Sequence, residues 1–311
     1  MIARQRFGFT VGVVGRPDLA IKYAANCASL NTTHPLVLDY LVRAHLQRRE
    51  VTTNVYFISS PIKLDDSMTG HFSAGPEQLA ACIQDPRSTL YYSVVEMDHS
   101  SVHAMMKNHT LRGSPNVPFA EVLQFLELGI DALRVIHQEN GIAHGNVNPR
   151  NVIIGANGTS VVLTYFEHAL LIEDEYVEGV VLPSGANSCF SRLGGAGSPQ
   201  GLYRDEVIRL FMVGAYMIHG KAWMGYCNRL AEDPAAMLAL KNERNLFIFM
   251  GRPDPLAGLP PDRKEEIAEY LEKALAYART DGEIDYGKIR WVLRNARRHA
   301  EGGSCIGCVL S

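Results

Sequence analysis

From Phe119 to Gln138 apolar residues recur at helical spacing: Val122, Phe125, Leu126, Leu133 and Ile136 mark one long stripe, with Leu128 or Gly129 between them. No other feature constrains the fold as strongly, because a long helix with a continuous apolar face is stable only against a substantial core. Asn140-Gly141 ends it. Two short β-branched runs follow, Asn151–Ile154 and Val161–Tyr165, around an Ala156-Asn157-Gly158 hairpin turn. A further helix, Glu206–His219, is strongly apolar and is expected to be buried. Periodicity predicts helices again at Asp233–Asn245, Arg263–Ala278 and Tyr286–Arg298. The N-terminal part reads differently. Strands are expected at Phe9–Val14 and Leu19–Tyr23 around a Gly15-Arg16-Pro17-Asp18 turn, then at Tyr56–Ile58 and Leu90–Met97. Between them, residues 35–47 follow a helical period opened by Pro35. Residues 60–75 and 173–201 read as loops, the second long enough to suggest a function. The expected class is α+β, a small strand-rich part followed by a larger helical one.

Composition narrows the function. The 311 residues are 47% hydrophobic and 20% charged, too apolar for a disordered chain. A formal charge of -3 supplies no basic field, so nucleic acid is not an expected partner. The apolar stretch Leu210–Ile218 is too short to span a bilayer. Arg4, Arg6 and Phe7–Gly15 imitate a secretory signal only faintly, being broken by glycine and followed by no A-x-A site. Cys27, Cys82, Cys189 and Cys227 are widely scattered, which points to free thiols in a reducing compartment.

The polar run His144-Gly145-Asn146-Val147-Asn148-Pro149-Arg150-Asn151 lies between the long helix and the strand–turn–strand. In that context it resembles the catalytic loop of a protein kinase, H-R-D-x-x-x-x-N. Val161–Leu170 stands where the metal-binding strand and D-F-G turn would lie, and Leu19-Ala20-Ile21-Lys22 is similar to the V-A-I-K strand. Tyr91–Asp98 resembles the hinge, with Val95 as gatekeeper, Glu96 first in the hinge and Met97 next. The His-Gly dipeptide is similar to the vaccinia-related kinases of the casein-kinase-1 group. So are Ala268-Glu269-Tyr270, the Ile284–Arg290 segment, and Gly214, Gly220 and Trp223 around the buried helix. The resemblance runs from about Phe7 to Arg298. It implies a bilobal protein-kinase-like fold, with a reduced N-lobe over 1–97, a helical C-lobe over 98–298 and a flexible tail over 299–311.

Within that resemblance the chemistry is missing. The loop aspartate that accepts the substrate proton is Asn146, a carboxamide with no basic lone pair at neutral pH. Losing a general base typically costs ~10²–10⁴-fold. The family's loop lysine is Asn148, and the metal-binding aspartate is Tyr165, in Tyr165-Phe166-Glu167. Asn151 keeps a metal-ligand position but cannot hold the ion alone. Two residues along an extended strand, Glu167 would fall roughly 6–7 Å beyond Tyr165, so it is expected as a solvated turn residue. Gly8, Gly12 and Gly15 do not make G-x-G-x-x-G and are expected as strand and turn glycines, with the first strand absent or reduced to Met1–Arg6.

Lys22 and Asp39 are either a vestigial lysine–acid pair or two surface charges that happen to align. His144 is expected to pack beneath the loop, and either Asp205 or Glu206 to brace it, unless a register shift brings Arg209 there. Ser198-Pro199-Gln200 stands near the A-P-E position without its carboxylate.

The resemblance therefore implies a pseudokinase that acts as a scaffold or regulator of an active kinase or its substrates, with protein partners. No cofactor is required; ATP binding is expected to be weak at most, and Mg²⁺ is not expected to be held. The alternatives are a weak ATP-dependent Ser/Thr kinase and a non-catalytic ATP-binding module. Independently of the fold, Cys308-Val309-Leu310-Ser311 reads as a C-a-a-X box for farnesylation of Cys308. One lipid binds membranes only marginally, so Cys305, placed for palmitoylation, and Arg294, Arg297 and Arg298 are the expected second signal. A cytoplasmic protein attached to the cytosolic face of a membrane is expected.

Overall fold

The computed structural model describes residues 3–5, 8–26, 35–63, 71, 76–96, 101–111, 117–155, 158–172, 198–230, 259–279 and 282–302. The expected helix at 233–245, Met97, and the tail with Cys305 and Cys308 lie outside the described residues, as does most of the 173–201 loop. The chain divides into two compact units, residues 1–99 with 164–169, and residues 100–163 with 170–311. The strip 164–169 thus belongs with the first unit, although it falls inside the 98–298 segment expected to form the second.

The first unit is built on antiparallel strands β1 (Ala3–Gln5), β2 (Gly8–Val13), β3 (Arg16–Asn26), β4 (Val55–Ile58), β5 (Ile62–Lys63) and β6 (Thr89–Glu96). Their order is β1-β2-β3-β6-β4, with β5 also on β6. The first strand is reduced but present. The turn between β2 and β3 is tighter than expected: Gly15 takes φ +78° and Arg16 and Pro17 already belong to β3. Helix α1 (Pro35–Leu46) follows β3, and α2 (Pro76–Gln84), not foreseen in the sequence, precedes β6. Alternation along β3 sends Ala20, Lys22 and Ala24 to one face and Tyr23 and Ala25 to the other. Ala20, Val55 and Val95 pack with Tyr40 on the first face, and Phe9, Ala25, Cys82 and Leu90 on the second. Cys82 is disulfide-bonded, which corrects the expectation of a free thiol there.

The second unit holds α3 (Val102–Leu111), α4 (Phe119–Arg134), two two-stranded antiparallel sheets, β7 (Ile142–Ala143) with β10 (Leu170–Leu171) and β8 (Val152–Ile154) with β9 (Val161–Leu163), then α5 (Pro199–His219), α6 (Lys221–Leu230), α7 (Pro261–Arg279) and α8 (Tyr286–Ala300). The α4 stripe is buried from Val122 to Leu133, and the helix runs on through a wider π-type turn, Val135–Glu139, to Gly141 at φ +62°. Helix α5 starts earlier than expected. The Ser198 hydroxyl accepts the Gly201 N–H at 3.1 Å and Pro199 fills the first turn, so the Ser-Pro pair is a helix start. Among the described residues no helix is long and apolar enough to cross a membrane.

Helices α4 and α5 meet at Gly129, where an added Cβ would lie 2.8 Å from Leu210 Cδ2. Leu210 is fully buried, so its side chain must shift within a packed core to admit the methyl group. Gly129→Ala is therefore expected to destabilise the helical unit by about 1–3 kcal/mol, read as a lowered midpoint in thermal or urea unfolding.

Candidate functional site

In the first unit the polar centre is a closed set of charges under the sheet. Lys22, 3% exposed, projects from β3 between Thr10 of β2 and Ser93 of β6. Asp39 and Arg43 lie one helical turn apart on α1, both buried. The Asp39 carboxylate meets Lys22 Nζ at 3.4 Å and Arg43 at 3.5 Å, and its other oxygen accepts the Phe166 N–H at 2.7 Å. Arg43 also donates to the Thr53 hydroxyl and carbonyl and to the Asn54 carbonyl. Lys22 and Asp39 are thus a buried pair, and the reading as two aligned surface charges is set aside.

Glu167 is corrected too. Its carboxylate forms an ion pair with Lys22 and its side chain is only 18% exposed, so it is not a solvated turn residue. The Tyr165 ring covers the same ammonium, 4.1 Å from Nζ to centroid. Tyr165 takes φ +63°, a left-handed conformation that costs a non-glycine residue roughly 1–3 kcal/mol and persists where the surroundings enforce it. Here Phe166 beside it is fully buried and its N–H is held by Asp39.

Two cations, Lys22 and Arg43, therefore face two anions, Asp39 and Glu167. Burial pulls the Lys22 ammonium down, but Asp39, Glu167 and Tyr165 outweigh it and the net shift is upward. Burial likewise pushes Asp39 up, and Lys22, Arg43 and the Phe166 N–H carry it below its ordinary value. Val95 is buried opposite Ala20, and Glu96 is tied to the start of β4, its carboxylate accepting the Asn54 N–H at 3.0 Å.

In the second unit the 144–151 loop is bonded to itself. Fully buried His144 accepts the Asn146 N–H on Nδ1 at 3.1 Å, the packing role expected of it. Asn148 donates to the Asn146 backbone and side-chain oxygens at 3.0 and 2.8 Å, and Asn151 donates to the Asn146 carbonyl at 2.9 Å. Asn148 Oδ1 then accepts the Arg150 N–H at 2.9 Å. The loop is held from α5 by Glu206, which accepts the His144 N–H at 3.0 Å and the Gly145 N–H, and from α3 by His103, whose N–H reaches the Pro149 carbonyl at 2.7 Å.

The register of α5 is thereby decided. Glu206 is the brace, while Asp205 pairs with Arg209 one turn on at 2.6 Å. Two partners were not foreseen. His137 sits 2.7 Å from Glu206 through Nε2 and bonds the Tyr286 hydroxyl through Nδ1, linking α4, α5 and α8. Burial raises Glu206, yet His137, His144 and the Gly145 N–H outweigh it and bring the carboxyl down to about 2. Burial, with Glu206 nearby, pushes the Tyr286 phenol up.

What these groups do chemically follows from their types. Asn146 offers no base, and its side-chain oxygen is already engaged by Asn148. A phenol at Tyr165 is a poor donor for a hard dication, and a single neutral amide oxygen at Asn151 does not hold one alone, so these side chains do not supply a Mg²⁺ site. Among the described residues no group of three or more His, Cys, Asp or Glu is arranged to hold a metal ion. The two carboxylates of this buried cluster, Asp39 and Glu167, are both engaged by Lys22. No family model matches the chain, and no curated protein matches it.

Proposed function

We propose that this chain is a pseudokinase of the vaccinia-related-kinase type, catalytically inactive, serving as a membrane-anchored scaffold or regulator of an active kinase or its substrates. The observation that carries this reading is the company Lys22 keeps. It lies on the third strand, paired with an acid from the helix that follows and touching the turn at 165–167. Active kinases bring together a third-strand lysine, a helix glutamate and a D-F-G turn in the same way. Here the turn carries Tyr165 and Glu167 instead of a metal-binding aspartate, and the loop of the second unit carries Asn146 at the sequence position where the base would stand. On this reading the scaffold of a kinase site is kept while its proton acceptor and metal ligand are replaced.

A thermal-shift titration with ATP, with and without Mg²⁺, tests the reading. No stabilisation is the expected result. Stabilisation that ignores the metal would favour a non-catalytic ATP-binding module. Metal-dependent stabilisation together with phosphate transfer lost in Lys22→Ala would establish a kinase and overturn the proposal.

The membrane part of the reading rests on Cys308 and Cys305. Arg294 and Arg297, expected to face lipid, are instead engaged by Glu127, at 2.6 and 3.5 Å. Arg298 is exposed, without an ion pair among the described residues, and is the cation left for the proposed second signal. Cys308→Ser is expected to move the protein from the membrane to the soluble fraction of cells with active prenyltransferase. Wild type already soluble in such cells would end the anchoring proposal.

A further inference from the structure

We propose that Glu167 is an internal occupant of an oxyanion seat on Lys22, so that the chain closes with its own carboxylate a site that would otherwise take a phosphate group. The identity of that anion rests on the pseudokinase reading; the seat itself rests on geometry. Lys22 is 3% exposed and keeps its charge, which a buried ammonium does only with anionic partners. Asp39 is not free to serve it alone, since Arg43 and the Phe166 N–H draw on the same carboxylate. Glu167 supplies the second anion and is the more exposed of the two, 18% against 1%.

Its arrival is built into the backbone. Tyr165 in the left-handed region turns the chain so that Glu167 comes back onto Lys22, and the Tyr165 ring packs against the same ammonium. Asp39 is shared between Lys22 and Arg43, so Glu167 is the anion on Lys22 that an external one would have to displace. A side chain held on the same chain competes at the millimolar or higher effective concentration of a tethered ligand, so a weak external anion loses.

Removing Glu167 is therefore expected to unmask the seat. The probes are sodium tripolyphosphate and ATP, each without metal, titrated calorimetrically into wild type, Glu167→Ala, Glu167→Gln and Lys22→Met/Glu167→Ala. Glu167→Ala is expected to bind tripolyphosphate at least about tenfold more tightly than wild type, and the added Lys22→Met to abolish the gain. Glu167→Gln keeps the side-chain shape, and the comparison is read there if the alanine variant melts early.

Equal gains for the two probes assign the seat to a bare polyphosphate, and a gain for ATP alone assigns it to a nucleotide; both support the seat. No gain for either probe in a variant that keeps the wild-type circular dichroism spectrum overturns it, as does a gain that survives loss of Lys22. These results are separable from the pseudokinase reading, which a phosphate-transfer assay on wild type decides.

Discussion

Glu206→Ala is expected to destabilise the helical unit by about 3–5 kcal/mol, the cost of removing one partner from a buried charged network. The carboxylate is 2% exposed and is the shared acceptor for the His144 and Gly145 amides and for His137. Alanine leaves those donors buried without an acceptor, and each such orphan costs about 1–3 kcal/mol before relaxation. Glu206→Gln keeps one acceptor oxygen but turns an NH₂ toward donors, so a smaller loss is expected. Urea unfolding followed by circular dichroism measures both.

The same residue sets an acid limit. A carboxyl held at about 2 when folded, against an ordinary 4.5, contributes stability that is complete above the ordinary value. That contribution is lost as pH falls from about 4.5 to about 2. In Glu206→Gln this part of the acid sensitivity is expected to vanish, and a wild-type-like acid profile in the variant would remove Glu206 from the account.

Asp39→Ala is expected to cost the first unit a similar ~3–5 kcal/mol. It leaves Lys22 with Glu167 alone and Arg43 with only the uncharged acceptors of Thr53 and Asn54, and strips the Asp39 acceptor from the Phe166 N–H. Lys22→Met is expected to cost less, because Asp39 keeps Arg43 and the Phe166 N–H while Glu167 can turn toward water. The ordering is the test: Asp39→Ala must melt below Lys22→Met. The reverse order would mean that Lys22, and not Asp39, is the centre of the cluster.

How much of this the sequence revealed depended on whether a residue's partners are local. The long helix was legible because Val122, Phe125, Leu126 and Leu133 are buried on one face of one element. The asparagine loop was legible because its partners lie within a few residues. Glu167 differs from its sequence expectation for a definite reason. An extended strand would carry it beyond Tyr165, but β9 ends at Leu163 and Tyr165 turns left-handed, so the carboxylate folds back onto Lys22. Glu206 stood as one of three registers until the fold brought α5 beneath the loop. His137 and Tyr286 gave no signal, since a polar residue on an apolar stripe finds its partner only when distant helices pack. The start of α5 was missed although Ser198-Pro199 carries it, because that segment was weighed as a loop motif.

Transfer of labelled γ-phosphate from ATP to protein by the purified wild-type chain with Mg²⁺, run beside Lys22→Met, distinguishes an inactive kinase fold from an active one. The account predicts equal background incorporation in both, because Asn146 cannot accept a proton and Tyr165 cannot hold the metal. Incorporation by wild type that disappears in Lys22→Met would contradict it.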